Sequence, residues 1–446
     1  SEYEKTLKIN ANKMTCSRQL FNKNKNKLIL GLLLTCYYFA KLLGITPFSR
    51  QIKKTGRRQQ RPRKQRKYVR KSTFWLLYSC IILLLAFAST PFAINTLRNR
   101  MTFLQQNQLL AIVGIGRYLL QLFCLNFTIF MQIRKNGRII AFINKLMSCQ
   151  TIYKSIEFEP YIVALLFTKC LSFVPAALWS VFIIIVEQVL QHFDFMFTIF
   201  FLTYCLILLQ MVLSMFFLGM LIIRQCGQHL NCELKQLLQR IEQVCNNGRR
   251  SNSFKIQQFC TFADHMDKLM RFHAKLTKLG DILTQLYGVQ LLSFMTFVLL
   301  EFVMQLFFTY LTTKGLARPY DDFDLMDRKK RYPIHINPVA AIYVISMFVD
   351  MFLVIWIAEE VKRCLSYTRI ILTEGSHRLL NTDDIDMRLS QSVSNVFEHF
   401  IFYCRSLRIS YSTCGLFLFN KTLLFMTCIT IFDYLLILIQ FDKILN

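Results

Sequence analysis

The stretch LFLFNKTLLFMTCITIFDYLLILIQF, Leu416 to Phe441, decides the fold. It is longer than the roughly 20 apolar residues that carry a helix across a bilayer core, and Lys421 and Asp433 are its only charged residues. At about 100° per residue, Thr430, Asp433, Ile437 and Gln440 share one helical face, while Leu, Ile and Phe fill the others. A membrane helix with such a polar stripe keeps it out of lipid, against a neighbouring helix or against water.

The rest of the chain repeats the apolar pattern. Its 446 residues are 54% hydrophobic, with 42 Phe and a mean hydropathy of +0.36, which indicates an all-α polytopic membrane protein. Six further apolar runs reach spanning length: Phe74 to Phe92, Leu109 to Met131, Leu165 to Val189, Phe195 to Ile223, Leu286 to Tyr310 and Pro338 to Ala358. With Leu416 to Ile439 they make seven expected spans. If the N-terminus is cytoplasmic, 42 of the 54 Lys and Arg lie in inside segments and 9 in outside segments; Arg117, Lys169 and Lys421 lie within spans. Without the long N-terminal segment, which obeys the charge rule poorly, the balance is still 22 to 9. The expected topology is therefore N-terminus inside and C-terminus outside, the reverse of a G-protein-coupled receptor.

Other features agree with that orientation. All 15 Cys fall in spans or inside segments, so no external disulfide is expected. Asn126 and Asn420 begin glycosylation-type triplets but lie within spans. Residues 1–27 are polar and basic, so no cleaved signal peptide is expected ahead of the first span. The basic run Ser49 to Lys71 reads as a cytoplasmic stop that sits against anionic lipid. The formal net charge of +28 does not imply nucleic acid, because the basic residues sit in blocks between apolar spans.

Two inside segments keep a helical period. Leu230, Leu234, Leu237, Ile241 and Val244 repeat at helical spacing, as do Ile385, Leu389, Val393, Val396 and Phe400. The fourth and sixth spans are thus expected to continue as helices beyond the membrane and pack there. Cys226, His229 and Cys232 lack a fourth ligand for zinc. The acidic loop at Asp321, Asp322, Asp324 and Asp327 lacks the Gly and terminal Glu of a calcium loop, so no metal and no cofactor is expected. There is no Walker loop, nucleophile elbow, metalloprotease helix or dinucleotide fingerprint, and no enzyme is expected.

Three features carry a family resemblance. Asp433 to Phe441 resembles the C-terminal TYhhhhQF signature of insect gustatory receptors, with Tyr434, Gln440 and Phe441 in place and Asp433 where the family usually has Thr. Gly415, Asn420 and Leu424 match the approach to that helix, and Leu43-Gly44-Ile45-Thr46-Pro47-Phe48 resembles the family's entry to the first span. The apolar run 28–45 can be an eighth span or an interfacial leading helix, and the second is the reading adopted.

The resemblance implies a ligand-gated cation channel in the plasma membrane, a homo- or heterotetramer whose last helices line the pore and whose cytoplasmic extensions anchor the subunits. A small tastant, sugar or bitter compound, would bind among the second to sixth spans. Residues 1–73 would be a basic N-terminal region with leading helix 28–45, residues 74–223 spans one to four, and 224–285 a cytoplasmic helical segment. Spans five and six would fill 286–358, an anchor segment 359–415, and the pore-lining span 416–441. Ile437 and Gln440 would form successive rings at a dewetting constriction. Asp433 would add a ring of carboxylates favouring cations, or would serve a hydrogen-bond network between helices. Arg117, Tyr118, Trp179, Tyr204, Tyr343 and Asp350 are the candidate ligand contacts. For Arg117, pairing with Glu187, Glu301 or Asp350 is the competing role. An odorant-receptor-type channel and a metabotropic receptor are the alternative functions.

Overall fold

The long apolar helices do not stop at membrane thickness. In the computed structural model, which describes residues 31, 34–46, 48–52, 67–101, 108–152, 160–172, 174–175, 178, 193–246, 252–313, 338–380 and 387–445, the chain is helical apart from two small antiparallel hairpins. The described helices are α1 (Thr73–Met101), α2 (Gln108–Arg134), α3 (Asn136–Ile152), α4 (Pro160–Leu171), α5 (Phe193–Asn246), α6 (Asn252–Thr313), α7 (Pro338–Leu380), α8 (Met387–Ser406) and α9 (Lys421–Leu445). Strands β1 (Phe48–Ile52) and β2 (Lys67–Lys71) pair with each other, as do β3 (Ser412–Thr413) and β4 (Phe417–Leu418).

Five of these helices contain stretches long and apolar enough to cross a membrane: Thr73–Phe92, Thr203–Cys245, Ser253–Phe307, Ala341–His377 and Lys421–Asp442. Helix α2 spans a further 27 apolar-rich residues. Of the run Leu165 to Val189, only the part in α4 and residues 172, 174, 175 and 178 is described. At 1.5 Å rise per residue, the 54, 62 and 43 residues of α5, α6 and α7 far exceed a hydrocarbon core of about 30 Å. Each of these three helices therefore runs on, unbroken, into a polar extension.

Helix α5 is the centre, packed against α7, α6 and α2. Its apolar stretch is 78% buried, against 11% for those of α1 and α9, so these two stand at the margin. In the extension, Leu230, Leu234, Leu237, Ile241 and Val244 are all buried. Phe400 of α8 is buried and Val396 partly so; Ile385 lies outside the described residues, as do the side chains of Leu389 and Val393. His273 of α6 ties the extension together. Its Nε2 lies 3.1 Å from the Leu365 carbonyl of α7, and its ring meets Phe400 and Tyr403 of α8 edge to face. Burial pushes this imidazole below its usual range, only partly opposed by the bond to Leu365, and so favours the neutral ring.

The leading segment is bound to the bundle through its carbonyls. Residues 34–42 are helical. Three hydroxyls then donate to successive end carbonyls: Tyr78 to Leu42 (2.7 Å), Tyr204 to Leu43 (2.8 Å) and Ser79 to Gly44 (2.7 Å). A helix end otherwise leaves such acceptors orphaned, and Gly44, at φ 74°, supplies the left-handed turn that closes it.

A second turn sets the start of α9. The expected span from Leu416 is shortened, because Leu416 to Phe419 belong to the β3–β4 hairpin and its exit rather than to the helix. Cys414 and Gly415 at φ 53° and 78° make the reversal, and the Asn420 side chain accepts from the Leu423 amide at 2.9 Å, a helix N-cap. The hairpin rests on α6: a Cβ on Gly280 would stand 2.5 Å from the Tyr411 hydroxyl, so only Gly admits that approach.

Candidate functional site

The buried face of α9 is narrow. Ile431 and Leu438 are buried and Leu435 partly so, packed on Val303 and Phe307 of α6. At about 100° per residue, Asp433 and Gln440 lie roughly 180° around the helix from that face, with Ile437 and Thr430 flanking them. Asp433, Ile437 and Gln440 are exposed, and so are Tyr434 and Phe441. Thr430 is half-buried, its hydroxyl bonded back to the Met426 carbonyl at 2.8 Å. The four expected pore residues thus lie away from the face that packs on α6.

A polar centre lies inside the bundle. Lys169 of α4 and Asp350 of α7 form an ion pair at 2.6 Å with side chains 3% and 0% exposed. The Ser172 hydroxyl donates to the same carboxylate oxygen. In this low-dielectric setting the pair holds two helices in one register. Elsewhere in the bundle, the Cys205 thiol donates to the Gln121 carbonyl of α2, and Asn126 of α2 reaches Thr90 of α1. The Gln210 amide of α5 is fully buried with no hydrogen-bond partner among the described residues.

The candidate ligand contacts divide. Asp350 is engaged by Lys169 and Ser172. Tyr204 holds the leading segment. Tyr343 is wholly buried in the core and Tyr118 packs partly against it. The side chain of Arg117 and all of Trp179 and Glu187 lie outside the described residues. Glu301 is fully buried and accepts from Gln305 at 3.3 Å. Lys169, Ser172 and Gln210 are the polar residues that sequence reasoning missed as site members. The signal was a lysine within an apolar run opposite an aspartate in another, without the geometry to join them.

Long apolar helices, a buried ionic centre and a loosely attached last helix define a multi-pass helical membrane protein. The family model for 7tm chemosensory receptors matches residues 33–445, and the chain belongs to that family. Among its relatives, a Drosophila melanogaster protein provisionally assigned as gustatory receptor 77a is 27% identical over 402 residues, covering 85% of this chain and 86% of the relative. The Drosophila melanogaster gustatory receptor for bitter taste 22e is 29% identical over 181 residues, 40% of this chain and 41% of its own length. The fold is like that of the insect olfactory receptor OR5 from Machilis hrabei, with a TM-score of 0.57 at 15% identity, covering 92% of this chain and 98% of that one. The same receptor in complex with eugenol gives a TM-score of 0.51 at 14% identity. The chain is thus a chemosensory receptor with gustatory relatives and an olfactory-receptor fold.

Proposed function

We propose that this receptor is a ligand-gated, non-selective cation channel of the plasma membrane of gustatory neurons, opened by a small tastant. It crosses the membrane seven times with its N-terminus inside and assembles as a homo- or heterotetramer around the α9 helices. The observation that carries the reading is the placement of Asp433 and Gln440 opposite the one face by which α9 is attached. A helix held on one side and polar on the other is suited to line a shared aqueous path, because lipid would not solvate that stripe. Ile437 supplies the apolar ring of the gate, Gln440 the polar ring beside it, and Asp433 the carboxylates that draw cations.

The cytoplasmic extensions of α5, α6, α7 and α8, within 224–285 and 359–415, form the anchor that joins subunits. The pocket lies within the bundle, where the buried Gln210 amide is suited to bind a ligand hydroxyl or carbonyl. Arg117, Tyr118, Trp179 and Tyr343 remain its candidate aromatic and cationic contacts. A bitter compound is the favoured tastant, since one relative is named for bitter taste; sugar is the alternative. Patch recording from cells expressing this chain alone, with G-protein signalling blocked, tests the reading. A fast cation current on applying a bitter panel supports it. A response abolished by the block overturns it in favour of a metabotropic receptor.

A further inference from the structure

The charge of this protein is not spread over it. Residues 5–156 contain 28 Lys and Arg and no Asp or Glu, so this third of the chain carries a charge equal to the +28 of the whole. The remainder is neutral by the same count.

The fold gathers part of that charge onto one boundary. The Asn144 side chain of α3 clamps strand β2: it accepts from the Val69 amide at 2.8 Å and donates to the Val69 carbonyl at 3.0 Å, filling the place of a third strand. Val69 is buried by this docking, while Arg70 and Lys71 beside it stay exposed. On α3, Ile139, Phe142, Leu146 and Cys149 are buried, and Arg138 and Lys145 are exposed along one edge of that buried face. Arg134 at the end of α2 continues the exposed row, because the backbone bonds of Lys135 and Ile139 carry the helix across the junction. No ion pair engages Arg70, Lys71, Arg134, Arg138 or Lys145 among the described residues.

The apolar surface begins where this charge ends. Helix α1 starts at Thr73, two residues after Lys71, and its Phe74 and Leu77 are 70% and 60% exposed. A ligand meeting both surfaces has a multiply charged anionic head and hydrocarbon tails. We infer that the β1–β2 hairpin and the exposed face of α3 form a binding site for polyanionic phospholipid of the phosphoinositide class, the phosphates meeting Arg70, Lys71, Arg138 and Lys145 and the acyl chains lying along Phe74 and Leu77. Unopposed cations at a bilayer surface attract such lipid strongly, and the Asn144 clamp fixes two rows of cations that would otherwise move independently.

The test uses the full chain purified in neutral detergent and dioctanoyl phosphatidylinositol 4,5-bisphosphate as the probe, followed by thermophoresis. Saturable binding that weakens with added salt is expected. Combining Arg70→Gln, Lys71→Gln, Arg138→Gln and Lys145→Gln, all surface changes, should weaken it by about tenfold or more. Lys268→Gln with Arg271→Gln, which removes two cations of the α6 extension, should leave it unaltered. Asn144→Leu should weaken binding with every charge retained. Unchanged affinity in the fourfold variant overturns the site. Equal binding of the soluble headgroup inositol 1,4,5-trisphosphate overturns the assignment to lipid, and equal binding of dioctanoyl phosphatidylcholine overturns the role of charge. The measurement uses no channel current, so its failure and that of the channel proposal are separable.

Discussion

Lys169 and Asp350 form the most deeply buried ion pair among the described residues. Removing one member of a buried ion pair leaves the other charge uncompensated, at a cost of about 3–5 kcal/mol, whereas replacing both by apolar groups is often near neutral. Lys169→Met should therefore sharply lower the temperature at which the detergent-purified receptor aggregates. Lys169→Met together with Asp350→Leu should recover most of the loss. If the double variant falls as far as the sum of the singles, the two side chains are not coupled. The sequence displayed both charges inside apolar runs, yet it offered Arg117 and Lys169 as cations and Glu187, Glu301 and Asp350 as anions. Pairing is decided by helix order and rotation, which periodicity does not encode. Tyr204 makes the same point. An aromatic in a membrane helix reads as a ligand contact or an anchor, and its actual bond to the Leu43 carbonyl depends on a segment 161 residues away.

At the scale of the element, α9 was the most legible part of the chain. Its stripe, its Gly415 and its Asn420 were all visible, and the last two have plain physical uses: a left-handed turn and an N-cap. Its first residue was not visible, because Leu416 to Phe419 are as apolar as the helix that follows. Hydropathy cannot distinguish a short strand from a helical turn when both are apolar. The same blindness to length hid how far α6 extends, since its polar and apolar halves read as separate units. The exposed face of α9 makes a specific prediction. Asp433→Asn should reduce single-channel conductance to monovalent cations and flatten its voltage dependence, while Gln440→Ala should alter leak or agonist-evoked current without loss of surface expression. Wild-type conductance and leak in both variants would remove this face from the conduction path.

At the scale of the whole molecule, the distribution of charge bears on topology. An epitope tag at the N-terminus should stain only after permeabilisation, and one following Asn446 should stain on intact cells. The opposite pattern would overturn the inside-to-outside orientation and with it the channel reading. Polytopic helical character was legible from composition alone; what composition could not give is that α5 forms the axis on which the other helices are hung. That follows from burial on all sides, which a run of Leu, Ile and Phe permits but does not require, since lipid accepts the same residues.

The three hydroxyls that seal the leading segment have a consequence for how the chain is made. Tyr78 and Ser79 leave the ribosome soon after Leu42 and Gly44, but Tyr204 follows its acceptor by 161 residues. At about 5–20 residues per second, the third bond waits some ten to thirty seconds of translation. Until then the segment's last carbonyls are only partly satisfied, and α1 alone holds it through Tyr78 and Ser79. Docking of the leading segment therefore begins with the first span and is completed only once α5 has been made.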